Sequence, residues 1–169
     1  MSILLQFHTD RGAPRPVHTE IHVERLTLRA AADWQQDIAA ECRRRRTLSA
    51  DLFDWLERRG LFDRCTVLAA MEAETPLVFR RIGVPTVKVL GMGWSRSMIG
   101  QPEAADPHAD YAHRIGLEYA EAIGAGEALF NRIAVTGVGR PFVYTQALFG
   151  WEDRGRRAVL SAIDVHTIH

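Results

Sequence analysis

Residues 17–24 carry the side chains best suited to metal binding. His18, Glu20, His22 and Glu24 alternate with apolar residues, so in a strand they would share one face. Imidazole and carboxylate groups are ligands for zinc and other transition metals. Strand residues two apart lie about 7 Å from each other, however, and a single strand rarely brings three ligands to one ion. We therefore interpret the pattern as a strand with one solvent-facing side and predict no metal site.

Motifs for nucleophilic or phosphate chemistry are missing from the sequence. Residues 137–139 (GVG) lie between two predicted strands, whereas a phosphate-binding glycine loop precedes a helix. Residues 91–95 (GMGWS) come nearest to a nucleophile elbow, but their glycines are better explained as helix stops. Cys42 and Cys65 fit no ligand spacing and indicate reduced structural thiols. We therefore predict that the protein is not an enzyme.

An alternative hypothesis is a small enzyme on a cone-shaped α+β fold that encloses a cavity. It would need a buried pair such as His108 or Tyr111 with Asp110. Neighbouring residues of a helix point in different directions, which counts against that pair.

Length and composition limit the possible classes. The chain has 169 residues, about one domain, with 25% charged and 47% hydrophobic residues, as in ordinary globular proteins. No run approaches the ~20 apolar residues that span a bilayer, and the first seven residues lack the basic leader of a signal peptide. The net charge of zero argues against a nucleic-acid footprint. We expect a cytoplasmic protein without membrane or nucleic-acid partners.

Any site would be positioned by strands and helices, and the apolar residues of the sequence recur with the periods of both. Alternation and turn signals predict a closing three-strand meander, two partner strands before it and a first strand near the N-terminus. These strands are residues 128–136, 141–149 and 157–166, then 65–72 and 77–82, and finally 17–24. The sequence thus predicts an antiparallel sheet of five strands, preceded by an N-terminal extension.

Helical periodicity fills the remaining segments. Residues 30–46 are predicted to form an amphipathic helix and residues 50–59 a shorter one. Two short helices are predicted after Pro85 and Gly91. A longer helix is predicted with Asp106 as cap and Gly124 at its end, its stripe packing on the sheet. That stripe consists of Tyr111, Ile115 and Tyr119.

Local motifs agree with the order of these elements. Residues 79–83 (FRRIG) lead to residues 89–91 (VLG), residues 95–100 end in Ile-Gly, and residues 149–151 (FGW) lie in the closing meander. Element order and motifs together resemble the PAS domain, a sensor module with a five-stranded antiparallel sheet of order 2-1-5-4-3, as found in small single-domain bacterial PAS proteins. The resemblance covers about residues 50–168.

The resemblance implies an α+β fold with helices on one face of the sheet. Residues 49–169 would be the sensor domain, and residues 1–48 an N-terminal extension with a strand and a helix, similar to the helical dimerisation caps of PAS proteins. The implied function is signal transduction through a small ligand or a protein partner, without catalysis. Because the chain ends at the last strand, we expect the signal to pass to a separate signalling protein or to a second copy.

Known PAS cofactors can be checked against single residues. Flavin photosensors of this family use a reactive cysteine in the longer helix, and residues 66–169 contain no cysteine. Haem-binding members use a histidine of that helix, where His108 and His113 lie five apart and point in different directions. The sequence therefore argues against both flavin and haem and leaves the ligand unknown.

The predicted ligand pocket lies between the longer helix and the sheet, with plain core packing as the alternative for each residue. Its predicted lining is Phe79, Met92, Trp94, Tyr111, Ile115, Tyr119, Ile133, Tyr144 and Leu160.

Assembly is predicted from the first helix. Its stripe of Ala31, Trp34, Ile38 and Cys42 precedes the sensor domain and must be buried somewhere. We therefore expect a homodimer through the N-terminal helices.

Overall fold

The computed structural model describes residues 19–168, and this range forms an α+β protein on one open antiparallel sheet of six strands. The order across the sheet is β1-β4-β5-β6-β2-β3. The strands are β1 (Glu20–Leu26), β2 (Cys65–Ala70), β3 (Val78–Arg81), β4 (Leu129–Thr136), β5 (Phe142–Asp153) and β6 (Arg156–Ile168).

Five helices accompany the sheet, and apolar periodicity had indicated all of them. They are α1 (Asp33–Arg43), α2 (Ala50–Arg58), α3 (Val84–Leu90), α4 (Met92–Met98) and α5 (Ala109–Ala125). α5 begins at Ala109 and not at Pro107, because the Asp106 carboxylate accepts a hydrogen bond from the backbone N–H of His108 and closes a turn first. No helix among residues 19–168 has both the length and the apolar composition that crossing a membrane requires.

The longest ladder joins β5 to β6 from Phe142↔Ile168 to Asp153↔Arg156. Arg154 and Gly155 connect the two strands, with φ angles of 50° and 80°. Positive φ at both positions of a two-residue loop is the signature of a type I′ turn, whose twist matches that of the strands. β6 also pairs with β2, so the last strand is central, as predicted.

The sheet has six strands because residues of the predicted extension join it. β1 pairs with β4 along its whole length, so the predicted count of five strands is wrong. The predicted strand 17–24 corresponds to β1, and Val17 and His18 lie outside the described residues. Without β1 the order is β4-β5-β6-β2-β3.

Helices cover both faces of the sheet, which corrects the prediction of helices on one face. On the first face α4 and α5 bury side chains such as Met98 and Ile115 against Leu148 and Val159. The second face lies under α1 and α2 in a separate core. Side chains of a strand alternate between faces, and β5 and β6 are buried on both, so their sequences carry two apolar sets.

The stripe of α1 packs on its own sheet. Ile38 and Cys42 are buried with Phe149 and Leu160 in the second-face core. Ala31 is also buried, and only Trp34 of the stripe stays partly exposed, so most of the apolar surface expected at a dimer interface lies inside the core. β1 and α1 share the sheet and core of residues 49–168.

Candidate functional site

A cavity lies between the first face of the sheet and the helical layer. Its walls come from β2, β3, β5 and β6 below and from α3, α4, α5 and the 3₁₀ turn Glu103–Ala105 above. Six of the nine predicted pocket residues line it: Phe79, Trp94, Tyr111, Ile115, Tyr119 and Tyr144. The space open to the centres of water-sized groups is about 30 Å³.

The other three predicted residues lie elsewhere. Met92 begins α4 and is 56% exposed, because it starts a short helix whose buried residues are Trp94 and Met98. Leu160 points to the second face, because it follows Val159 in β6 and consecutive strand residues point to opposite faces. Ile133 is fully buried in the first-face core but does not line the cavity.

Two tyrosines connect the helix to the sheet inside the cavity wall. The hydroxyls of Tyr111 in α5 and Tyr144 in β5 are 2.9 Å apart and share a hydrogen bond. Burial raises the pKa of Tyr111 to about 12, and it raises the pKa of Tyr144 well above the usual value. Burial likewise raises the pKa of Tyr119. All three hydroxyls are therefore protonated near neutral pH and can donate as well as accept.

A threonine pair forms the wall near α3. The hydroxyls of Thr66 and Thr86 lie 2.8 Å apart, and the backbone N–H of Gly83 donates to Thr66 Oγ1 over 3.0 Å. These bonds hold the first turn of α3 against β2. Sequence analysis missed both threonines, because a polar residue in a strand or helix is usually solvent-facing.

Asp106 is a buried carboxylate in the wall. Its Oδ1 atom accepts hydrogen bonds from the indole N–H of Trp94 at 3.1 Å and from the backbone N–H of His108 at 2.9 Å. The Nδ1 atom of His108 is 3.0 Å from the same oxygen. The pair that the enzyme alternative would need, His108 or Tyr111 with Asp110, has no buried carboxylate, because Asp110 is exposed at the start of α5.

Two polar atoms of the lining have no hydrogen-bond partner in the described structure. They are Nε2 of Gln146, a residue 1% exposed, and Oε2 of Glu103. The Oε1 atom of Gln146 is satisfied by the hydroxyl of Ser161, which donates over 3.3 Å. Burial raises the pKa of Glu103, and the charge of Arg157 partly opposes that shift. Sequence analysis identified neither residue, since no periodic signal marks them.

The described residues include no group of three or more histidine, cysteine or carboxylate side chains able to hold a metal ion. In β1 the side chains of Glu20, His22 and Glu24 are exposed on one face, as the sequence predicts, and His18 lies outside the described range. His113 in α5 is also exposed.

Comparison with known proteins gives little support for an assignment. No protein-family model matches the chain, and no curated protein matches it. Among solved structures, the chain is similar to a domain of an HTR-like protein from Haloarcula marismortui, with 15% identity and a TM-score of 0.44. That match covers 62% of this chain and 99% of the other.

Proposed function

We propose that this chain is a sensory or regulatory domain of the PAS type that binds a small molecule in the cavity and performs no catalysis. The strand order carries the proposal. Numbered from β2 to β6, the last five strands lie in the order 2-1-5-4-3, and β1 is an added edge strand beside the third of them. This is the order that the sequence resemblance implies.

The cavity supports a ligand-binding role. Small-molecule sites are typically apolar concavities with a few well-placed polar groups. Here five of the 14 lining residues are aromatic, among them Trp94 and Tyr119, and the lining also includes Gln146 and Glu103, each of which has an unpartnered polar atom. A buried polar atom without a partner costs about 1–3 kcal/mol, so a ligand that satisfies both atoms recovers that free energy.

The expected partners remain a separate protein or a second copy of the chain. Because Ile38 and Cys42 are buried, the surface proposed for a homodimer is the outer aromatic surface, defined as the partly buried residues Trp34, Phe53 and Trp55. The guanidinium of Arg64 lies 4.7 Å from the ring centre of Trp34, and that of Arg59 lies 5.5 Å from Trp55. Aromatic and arginine side chains are enriched in protein interfaces, which favours this surface.

The alternative of a small enzyme is favoured by one contact, the 3.0 Å approach of His108 Nδ1 to Asp106 Oδ1. A catalytic pair needs a histidine that faces the substrate. His108 does not line the cavity, and its partner oxygen already accepts from Trp94 and from the backbone. We therefore assign Asp106 to the turn before α5.

Thermal-shift screening with a library of small polar molecules tests the proposal, because a ligand that binds only the folded state raises the melting temperature. The matched variants are Ala112→Leu, which fills the cavity from α5, and Ala120→Leu, which adds the same group to an exposed position of that helix. We expect a compound that stabilises the wild type and Ala120→Leu but not Ala112→Leu. A compound that is instead converted to product supports the enzyme.

A further inference from the structure

The cavity concentrates unpartnered polar atoms. Four buried side-chain polar atoms lack a partner in the described structure, and two of them, Gln146 Nε2 and Glu103 Oε2, belong to residues that line this cavity. Gln146 belongs to the sheet and Glu103 to the helical layer, so the cavity has a residue with an unpartnered donor in one wall and a residue with an unpartnered acceptor in the opposite wall. An occupant that matches both needs a hydrogen-bond acceptor for the amide and a donor for the carboxylate.

The charge of the lining has one sign. Glu103 and Asp106 are its two carboxyl groups, and the lining contains no lysine, arginine or histidine. Burial mainly raises the pKa of Tyr119, and the nearby carboxyl groups of Glu103 and Asp106 add to that rise. Arg157 acts on Glu103 electrostatically from outside the lining, where its guanidinium donates to the backbone oxygen of Thr75. The interior therefore repels anions and attracts cations.

Aromatic rings complete the walls. The lining includes Phe79, Trp94, Tyr111, Tyr119 and Tyr144, and the first two rings meet edge to face with centroids 5.6 Å apart. The face of an aromatic ring attracts a cation, most strongly where water is excluded. Aromatic faces beside carboxylates therefore suit an ammonium group better than a carboxylate or a neutral amide.

The size of the space limits the occupant. About 30 Å³ is open to the centres of water-sized groups, and one water needs roughly 10–15 Å³ on this measure. The cavity thus holds an occupant of a few heavy atoms.

From these four observations we propose that the cavity binds a short primary ammonium compound that carries a hydrogen-bond acceptor, such as a small amino alcohol or amino amide. Its ammonium group lies at Glu103 and Asp106 among the aromatic rings. Its acceptor oxygen takes a hydrogen bond from Gln146 Nε2. This inference rests on the proposed function, because it specifies the ligand of the same cavity.

The test is calorimetric titration of the wild type near neutral pH and at constant ionic strength. The probes are ethanolamine, glycinamide and methylammonium, with acetamide and acetate as neutral and anionic controls of similar size. We expect ethanolamine or glycinamide to bind at least about tenfold more tightly than acetamide or acetate. This comparison needs no variant, so it does not depend on whether a substitution folds.

Three variants assign the contacts. Glu103→Gln should weaken every ammonium probe about tenfold. Gln146→Leu should weaken ethanolamine and glycinamide but leave methylammonium, which has no acceptor, unchanged. Glu127→Gln removes an exposed carboxylate outside the cavity and should change nothing.

Binding of acetamide or acetate as tight as that of glycinamide would overturn the ammonium ligand. If Ala112→Leu abolished that binding, the proposed ligand-binding function would nevertheless stand. Ammonium binding that Glu103→Gln leaves intact, or no binding of any probe up to about 10 mM, also contradicts the inference. In the latter case the library screen decides the proposed function independently.

Discussion

The hydroxyls of Tyr111 and Tyr144 meet at 2.9 Å inside the wall of the cavity and join α5 to β5. Tyr144 is 1% exposed and Tyr111 8%, so each hydroxyl depends mainly on the other for its hydrogen bond. The bond fixes the distance between the helical layer and the sheet at the level of the candidate site.

Tyr144→Phe and Tyr111→Phe should each lower the free energy of unfolding by about 1–2 kcal/mol, because each leaves one buried hydroxyl with a partner fewer. The double substitution should cost less than the sum of the two, since no hydroxyl is then orphaned. Urea unfolding of the four proteins measures this coupling. Strictly additive costs would show that the bond does not contribute.

Gly150 is required where α5 crosses β5. A Cβ atom at this position would lie 2.3 Å from the backbone nitrogen of Ile123, so the helix would have to move. We expect Gly150→Ala to cost about 3 kcal/mol or more. The matched control is Gly124→Ala in the same helix, where nothing lies within 4 Å of the new atom and helix propensity favours alanine by up to about 1 kcal/mol. Equal melting temperatures of the two variants would contradict this packing.

Glu118 holds β1 to α5. Its carboxylate accepts from Arg25 at 2.7 Å and from Asn131 at 2.8 Å, and its side chain is 4% exposed. Glu118→Gln should destabilise the fold by about 2 kcal/mol, less than the ~3–5 kcal/mol of a fully buried pair because Arg25 is partly exposed. Glu121→Gln, at an exposed partner of the same arginine, should cost under about 1 kcal/mol. Chemical unfolding compares the two, and equal losses would assign no special role to Glu118.

The two buried thiols make stability depend on pH in the alkaline range. Burial raises the pKa of Cys65 to about 12 and that of Cys42 further. Thiols of the unfolded chain ionise near about pH 8.5, so above that pH the folded state binds more protons than the unfolded state. Stability is therefore complete below about pH 8.5 and should fall by about 1.4 kcal/mol per pH unit for each thiol up to its folded pKa.

Unfolding of the Cys42→Ala/Cys65→Ala variant between about pH 8 and pH 10.5 measures this contribution against the wild type. The variant should show the shallower decline, because the buried tyrosines contribute equally to both proteins. Parallel curves would mean that the thiols are accessible and ionise in the folded state.

Substitutions at Ile38 and Trp55 distinguish the core from the proposed dimer surface. Ile38 is 1% exposed, so Ile38→Glu should unfold the protein by burying an unpaired charge. Trp55 is half-buried at the outer aromatic surface, so Trp55→Glu should leave a folded chain that is monomeric by light scattering. A folded Trp55→Glu dimer would place the interface elsewhere. A monomeric wild type would exclude the proposed homodimer.

The sequence predicted those elements that a local signal marks. Tyr111, Ile115 and Tyr119 recur along α5 with helical spacing, and all three line the cavity. The closing meander was also predicted, because glycine-containing turns separate its strands. Helical spacing carries the necessary information for α5, and the turn residues carry it for the meander.

The positions of β1, α1 and α2 could not be predicted in this way. The inner residues of β5 are buried on both faces, so its sequence does not indicate which helices cover which side. The key polar residues were missed for a related reason. Gln146 reads as an ordinary strand residue, and the 3₁₀ turn that positions Glu103 depends on contacts distant in sequence, such as its backbone bond to Leu77.

The side-chain amide of Gln146 gives the most direct test of the central claim, that a small molecule binds in this cavity. Its ¹⁵N–¹H resonances can be followed while the library compounds are titrated into wild-type, Ala112→Leu and Ala120→Leu protein. We predict a compound that shifts these resonances saturably in the wild type and in Ala120→Leu, but not in folded Ala112→Leu. Resonances that no compound shifts, or that shift equally in Ala112→Leu, would contradict the cavity as the ligand site.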